Sequence, residues 1–463
     1  MPQGVSKRAI DMTSGSLYKN IFLYSLPLMF SQVLEVLFNL SDVAIAGKFA
    51  DYRALGAVGS TTLLVSLFTG FLIGMGSGVC VRVAHRLGVG DDEGARRTVF
   101  SSGAVCLVIG ILVFAACEVF AVPMLRLLKT KDELMDGASL YLRIYSLGMP
   151  AMAIYNFGNG VLSACGETKK PLVYLTIAGV LNVILNLFFV IVCHMAADGV
   201  AIASVIAQYL SAALVIAHLL RRSDACRLHL SLRFFDRRAC TSVLALGIPA
   251  GIQNAIFAVA NLFVQKGVNS FDAVLVSGNS AAANADTVIY NVMGAFHTAC
   301  ASFMSRNLGA GKRDRVIKSY FVSLSMSFCS GALLGGLLFV FGRQFLSLFA
   351  NEPEVIAAGM QRIRIMGWSY CISAFMDCTI AASRGIGKSA VPTVIVILGS
   401  CVFRVVWVYT VFAHFQTIAS LYLLYVFSWA ITAVCEILYF RYSYRKLDRA
   451  HTQAELEHTK ELT

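Results

Sequence analysis

Residues 26–47 read LPLMFSQVLEVLFNLSDVAIAG. With residues 21–25 they form an apolar run long enough to cross a bilayer, since a helical span needs about 20 such residues. Four polar side chains interrupt it: Gln32, Glu35, Asn39 and Asp42, at i, i+3, i+7 and i+10. At 100° per residue they share an arc of about 80°, one polar stripe on an otherwise apolar helix. An acid at membrane depth costs about 2.5–3.5 kcal/mol even on the gentlest scale, so two acids in one stripe need a reason. A stripe of this kind either binds a cation in a cleft or locks helices together by hydrogen bonds. The two carboxylates favour the cation site. Pro27, ahead of the stripe, marks a tilt or break in the helix.

Similar apolar segments recur near 54–81, 98–122, 138–163, 171–193 and 197–220. A second set lies near 241–268, 275–304, 317–342, 359–382, 391–413 and 418–440. Twelve spans fit the composition: 57% hydrophobic, 14% charged, mean hydropathy +0.72. Soluble domains carry about 25% charged residues, so too little polar chain is left here for a large soluble catalytic domain. Lipid offers no hydrogen bonds to unpaired backbone, and the runs lack the alternation of barrel strands, so the spans are read as helices. The thirteen cysteines show no CxxC pair, and no histidine cluster has metal-ligand spacing. Free thiols serving as small hydrophobes are therefore expected, with no zinc site and no disulfide framework.

Charge sets the expected orientation. One alternating set of loops, with the tail, holds 27 Lys and Arg, among them Lys7, Arg8, Arg86, Lys169, Lys170, Arg221, Arg222, Lys312, Arg315, Lys388 and Lys460; the opposite set holds seven. The positive-inside rule puts the rich side and both termini in the cytoplasm, as expected of a multi-pass protein of the cell membrane. This topology also accounts for the net charge of +12 without a nucleic-acid partner. No short apolar segment with a small-residue cleavage site precedes the first span, so it does not read as a cleavable signal.

The stretch 221–240, RRSDACRLHLSLRFFDRRAC, reads as a cytoplasmic connector between an N-lobe of six helices (1–220) and a C-lobe of six (241–440), with a charged tail at 441–463. The halves resemble each other: Pro27 aligns with Pro249 and Asn39 with Asn261 at a shift of 222, and Gly88 and Gly90 align with Gly309 and Gly311 at 221. Gly166 aligns with Gly385 at 219, and Pro171 with Pro392 at 221. Because six is even, both halves enter the membrane from one side, the parallel repeat of alternating-access carriers.

Other polar residues fall on the spans. Asn156 and Asn159 share a face of the fourth, and Asn182 and Asn186 are one turn apart on the fifth. Asn254, Asn261 and Gln265 form an uncharged stripe on the seventh. Asp377 lies on the tenth and Arg404 within the eleventh; an ion pair between them is the structural reading, and a second coupling site is the alternative. Asp286 and Lys266 are placed near an interface, where snorkelling would relieve them. Gly385-Ile386-Gly387-Lys388-Ser389 ends like a phosphate-binding loop, but Ala382 stands where its first glycine belongs and no strand precedes it. It reads as a turn, so no nucleotide is expected and an ion gradient must supply energy.

The quoted first span, the loop RLGVGDDEGARR, the turn GETKKP, and their counterparts NLGAGKRDR and RGIGKSAVP resemble the multidrug and toxic compound extrusion (MATE) family over about residues 15–440. The resemblance implies two six-helix lobes forming a V, an all-α fold, and export of amphipathic, often cationic compounds in exchange for Na⁺ or H⁺. It implies no cofactor beyond that ion, small organic substrates, lipid as the surrounding partner, and a monomer. Carried over by position, Asp42 matches the family's first-span aspartate, Pro27 its bend, and Asn159 and Asn182 the amides around the carboxylate, a set that could hold Na⁺. The chain lies nearer the DinF-like branch but has Asn186 where that branch carries an aspartate. It also lacks the seventh-span glutamate of the NorM-like branch, whose tenth-span acid lies near Asp377. Two rival functions remain. A lipid-linked-oligosaccharide flippase would line its cleft with Arg and Lys, and an intramembrane enzyme would need a nucleophile–base pair or metal set that the sequence lacks.

Overall fold

A computed structural model describes residues 9–49 and 52–462, so Lys7 and Arg8 lie outside it, as does the side chain of Lys460. The described residues contain helices and no strand. In chain order the helices are α1 (Leu17–Phe49), α2 (Tyr52–Val89), α3 (Asp92–Leu127), α4 (Asp132–Ser146), α5 (Met149–Ala164), α6 (Lys169–Leu187) and α7 (Ala197–Arg221). They continue as α8 (Arg237–Val268), α9 (Ala273–Gly309), α10 (Arg313–Leu346) and α11 (Pro353–Gly385). The next span, Ala390–Phe415, is built of α12 (Ala390–Val396), α13 (Phe403–Trp407) and α14 (Ala413–Phe415) joined by π-helical turns, and α15 (Ile418–Leu462) follows.

Among the described residues, ten helices are long and apolar enough to cross a membrane. The other two expected spans are helical as well. The segment 138–163 breaks after Ser146, where Gly148 precedes Pro150 and α5 starts afresh. A proline is accepted in a first helical turn because its missing N–H would be unsatisfied there anyway. The segment 275–304 lies inside α9, where Asn279, Asn284, Asp286 and Asn291 dilute the apolar run. Large apolar side chains point outward all along the spans, for example Phe30 at 56%, Leu112 at 58%, Leu333 at 64% and Val434 at 58% exposure. A water-soluble surface does not expose apolar area on that scale; a lipid-facing one must.

The backbone repeats as the sequence does. Pro27 and Pro249 both lie inside helices, α1 and α8. The π-helical turn Phe188–Val192 that extends α6 recurs as Val408–Phe412, at a shift of 220. Gly90 and Gly311 both take positive φ, 78° and 69°, at a shift of 221. The same shift corrects one alignment: Gly166 corresponds to Gly387, not Gly385, because both have φ of 82° at the tip of a turn, a conformation open mainly to glycine. Gly385 is still helical, the last residue of α11. Each half also presents a glycine where α2 and α9 cross. A Cβ on Gly88 would sit 2.2 Å from the Arg306 carbonyl oxygen, and one on Gly309 would sit 2.2 Å from that of His85.

Contacts divide the chain into two compact units. The first holds residues up to Val259 together with Ser305–Val316, so the opening turns of α8 belong to it: Gly247 packs on Met75 and Gly251 on Phe71. Its core runs from Leu72, Leu125, Leu142 and Val200 to Val79, Phe157, Leu162 and Val215. The second holds Ala260–Met304 and the residues from Ile317 onward, with Val264, Val268, Leu421 and Leu424 forming one cluster and Ala282, Leu346 and Ile363 another.

Two expectations are corrected. Eleven cysteines are free thiols, but Cys165 and Cys226 are paired as a disulfide, their Cα atoms 7.3 Å apart. A spacing of 61 residues hid this; the connector folds back through a Leu228 N–H to Leu219 carbonyl bond of 3.0 Å and brings Cys226 beside the end of α5. Asp286 is relieved by partners and not by snorkelling: it is 9% exposed and accepts from Arg362 Nε at 3.1 Å and from the Tyr370 hydroxyl. Lys266 is exposed, with Nζ 3.5 Å from the Tyr409 hydroxyl.

Candidate functional site

The polar centre of the first unit is built on Asp42, near the C-terminal end of α1 and 9% exposed. Asn186 of α6 donates through Nδ2 to Asp42 Oδ1 at 2.5 Å. Ser204 of α7 donates to Oδ2 at 3.2 Å. Asn182, one turn before Asn186, donates to Ser204 Oγ at 3.3 Å and accepts from Asn186 Nδ2 at 3.3 Å. Tyr141 and Tyr145 of α4, both buried and stacked at 5.8 Å, lie within electrostatic reach of the carboxyl. Every contact to Asp42 is neutral, and among the described residues no Lys or Arg forms an ion pair with it. Asn186 Oδ1 is buried and accepts no hydrogen bond. A charge buried without a partner costs several kcal/mol, and an orphaned acceptor about 1–3 kcal/mol more. A proton or a small cation beside Asp42 and Asn186 Oδ1 would relieve both.

The sequence explains why the helices deliver these groups. Asn182 and Asn186 are i, i+4 neighbours and so share a face of α6. The π-helical turn begins two residues after Asn186, where the extra residue shifts the helical phase. Two attachments hold α1, one on each side of Pro27. Before it, the Tyr24 hydroxyl donates to the Ser163 carbonyl at 3.1 Å, and Thr168 Oγ1 donates to the Tyr24 carbonyl at 3.0 Å. Beyond it, Asp42 is tied to α6 and α7.

Members of the expected stripe are treated differently. Glu35 and Asn39 are exposed, while Gln32 is half-buried with Oε1 unsatisfied. Glu35 lies within electrostatic reach of Tyr145 and Tyr155 but makes no hydrogen bond to Asp42. The α5 amides do not reach Asp42 either. Asn156 Nδ2 bonds the Met152 carbonyl of its own helix at 3.0 Å, and Asn159 Oδ1 accepts from Ser163 Oγ at 3.4 Å. Of the proposed Na⁺ ligands, Asn182 is beside Asp42 and Asn159 is not hydrogen-bonded to it.

A family model described as MatE matches residues 27–188 and again residues 249–410. The chain belongs to the MatE family. It is 27% identical over 365 residues to the probable multidrug resistance protein YpnP of Bacillus subtilis, covering 78% of this chain and 81% of that protein. It is 20% identical to the probable multidrug resistance protein NorM of Thermotoga maritima, with 86% of each covered. It is 24% identical to the FAD transporter of Shewanella oneidensis, over 72% of this chain and 74% of that one. Its fold matches a crystal structure of MATE in the bent conformation, with a TM-score of 0.88 at 20% identity over 96% of this chain and 99% of the other. A MOP superfamily transporter from Pyrococcus furiosus gives 0.87 at 20% identity, over 96% and 100%. This MatE chain is thus a multi-pass membrane transporter, not an enzyme.

In the second half of the MatE repeat, the seventh-span stripe does not gather into one site. Asn254 Nδ2 donates to the Gly70 carbonyl at 3.0 Å. Asn261 Oδ1 accepts from Arg404 Nη1 at 3.0 Å, and Gln265 Nε2 bonds Asn269 at 2.8 Å on the surface. Arg404, 2% exposed, also donates to Ser428 Oγ at 3.4 Å and lies 4.6 Å over the Tyr425 ring. Asp377 is within electrostatic reach of Arg404 and of Arg384.

Sequence reasoning missed four residues of this polar framework. Ser204 completes the Asp42 site; with Gln208 it forms an i, i+4 polar pair on α7 that could have signalled it. Arg362 is buried among Asp286, Asn279 and the Tyr422 and Tyr425 rings. Glu436, at 0% exposure with neither carboxyl oxygen hydrogen-bonded, is an isolated acid in an apolar run of α15. Tyr370 looked like an ordinary apolar-face aromatic, and nothing local marked its hydroxyl as a partner of Asp286.

Proposed function

We propose that this transporter exports small amphipathic organic cations across the cell membrane in exchange for Na⁺ or H⁺, with Asp42 as the negative site that cargo and coupling ion use in turn. One observation carries this reading: a buried carboxylate held by one amide and one hydroxyl, with no cationic partner, beside an unsatisfied acceptor oxygen. Asn186 Oδ1, Asn182 and Ser204 supply neutral oxygens suited to Na⁺, a hard cation, and the carboxylate alone suffices for a proton. Exchange then needs only competition. The counterion entering Asp42 neutralises the site, and the organic cation loses its electrostatic hold. Pro27 lies between the two attachments of α1, so repacking around Asp42 can be taken up where the backbone already lacks a hydrogen bond.

Relatives named as probable multidrug resistance proteins support the cargo class. The FAD transporter relative marks the contrasting case, an anionic cargo, and an acidic site with no partner base would repel it, as it would the pyrophosphate of a lipid-linked oligosaccharide. The test is reconstitution in proteoliposomes with a fluorescent amphipathic cation trapped inside and Na⁺ and pH gradients imposed separately. Dye should move only with one of the gradients. Movement independent of both, or transport of an anionic flavin dinucleotide in place of the dye, would overturn the reading.

A further inference from the structure

The first unit has a cavity away from Asp42, formed by the turn after α5, the start of α6 and the end of α7 with the first residues of the connector. It encloses about 1040 Å³. Four bases line it, Lys169, Lys170, Arg221 and Arg222, against two acids, Glu167 and Asp224. The acids are already engaged: Arg222 donates through Nε to Asp224 Oδ1 at 2.9 Å, and its Nη1 lies 3.2 Å from Glu167 Oε2. Lys169, Lys170 and Arg221 form no ion pair among the described residues. The cavity therefore keeps a surplus of positive charge that no protein group neutralises.

Two further features point to an anion. The Arg222 side chain, 6% exposed, is committed to Glu167 and Asp224, which leaves Lys169, Lys170 and Arg221 lining the cavity with no acid to neutralise them. The 19-residue α6 also begins here without a side-chain cap, because Thr168 donates its hydroxyl to Tyr24 instead. The orphan N–H groups and positive dipole end of such a helix favour an anion. The opposite wall is apolar. Leu23 and Val173 line the cavity and are 42% and 48% exposed, and Leu26, Phe30 and Ile177 extend the apolar surface further along α1 and α6. Bases at the helix ends with apolar side chains deeper in match one molecule that is anionic at its head and apolar below it.

We propose that this cavity binds the phosphate headgroup of an anionic phospholipid of the inner leaflet, with Lys169, Lys170 and Arg221 on the phosphate and an acyl chain along Leu23 and Val173. This rests on the orientation read from the loop charges and not on exchange at Asp42, so the two can fail separately. Each base near a membrane surface changes anionic-lipid binding by about five-fold.

The test uses the delipidated full-length transporter in neutral detergent, with lipid retention read by native mass spectrometry and thermal unfolding. Dioctanoyl phosphatidylglycerol should be retained one-to-one and raise Tm, whereas dioctanoyl phosphatidylcholine should do neither. The Lys169→Gln/Lys170→Gln/Arg221→Gln variant should bind roughly a hundred-fold more weakly. Arg221→Glu alone, a single exposed position, should weaken binding by at least about five-fold should the triple variant not fold. Arg237→Gln/Arg238→Gln/Lys318→Gln, which removes equal charge outside the cavity, should bind normally. Equal retention of phosphatidylcholine, or equal loss in that control, would overturn the proposal. So would glycerol 3-phosphate binding as tightly as the lipid, which would make the ligand a soluble phosphate.

Discussion

Replacing Asp42 by Asn separates the charge at this site from its shape. The asparagine can present Oδ1 to Asn186 Nδ2 and its own amide to Ser204 Oγ, whose other lone pair still accepts from Asn182, so both hydrogen bonds to residue 42 are kept and the Ser204 hydroxyl hydrogen alone loses its acceptor. Hydrogen bonds to a charged group contribute about 1.5–3 kcal/mol and neutral ones about 0.5–1.5, so two such bonds lose about 2 kcal/mol in all. Removing a partnerless charge from membrane depth returns about 2.5–3.5 kcal/mol. The two effects nearly cancel, and Tm should move by no more than about 3 °C. Transport should respond on another scale. Unit charges about 4 Å apart at an effective dielectric near 20 attract by about 4 kcal/mol, so cation affinity should fall roughly a thousand-fold. Dye efflux from proteoliposomes under the effective gradient should drop to the leak of empty vesicles, while the variant inserts and melts like the parent. Gradient-driven efflux within a few-fold of normal, from a variant of normal Tm, would refute the role given to Asp42. Loss of both efflux and thermal stability would refute the cancellation on which the separation rests.

Two further outcomes follow from charges elsewhere. Arg362→Met should leave Asp286 buried without its cation and lower stability by about 3–5 kcal/mol, read as a lower melting temperature in detergent; adding Asp286→Leu should recover part of the loss, and failure to recover would mean the pair is not the cause. At the connector, burial acts to raise the Asp224 carboxyl, but the hydrogen bonds and charge of Arg222 prevail and hold it below the usual carboxylate range. Its contribution is thus fully present above the unfolded value of about 3.9 and is lost as pH falls through the lower folded value. Melting curves from pH 7 to pH 3 should fall below about pH 4 for the parent and less steeply there for Asp224→Asn; parallel curves would count against the clamp.

Helical spans, their approximate limits and the internal repeat were all legible in the residues, because each depends on local chemistry. Apolar length decides whether a segment can sit in lipid, backbone hydrogen bonding then makes it a helix, and a repeated Pro or Gly marks the same backbone event twice. The polar arc of α1 was legible for the same reason, as helical phase places Gln32, Glu35, Asn39 and Asp42 on one side. Phase says nothing of what covers that side. Glu35 and Asp42 point only about 20° apart by that phase, yet Glu35 is exposed while Asp42 lies beneath α6 and α7. Partnerships also span distances that no pattern reports: Asp42 with Asn186 across 144 residues, Arg362 with Asp286 across 76, Cys165 with Cys226 across 61. In a soluble chain the apolar face of a helix points to its core and so predicts packing. In lipid both faces are apolar and the solvent no longer sorts inside from outside. Which helix covers which polar group is then settled by close packing and hydrogen bonding between segments far apart in the chain, and only the tertiary structure records that.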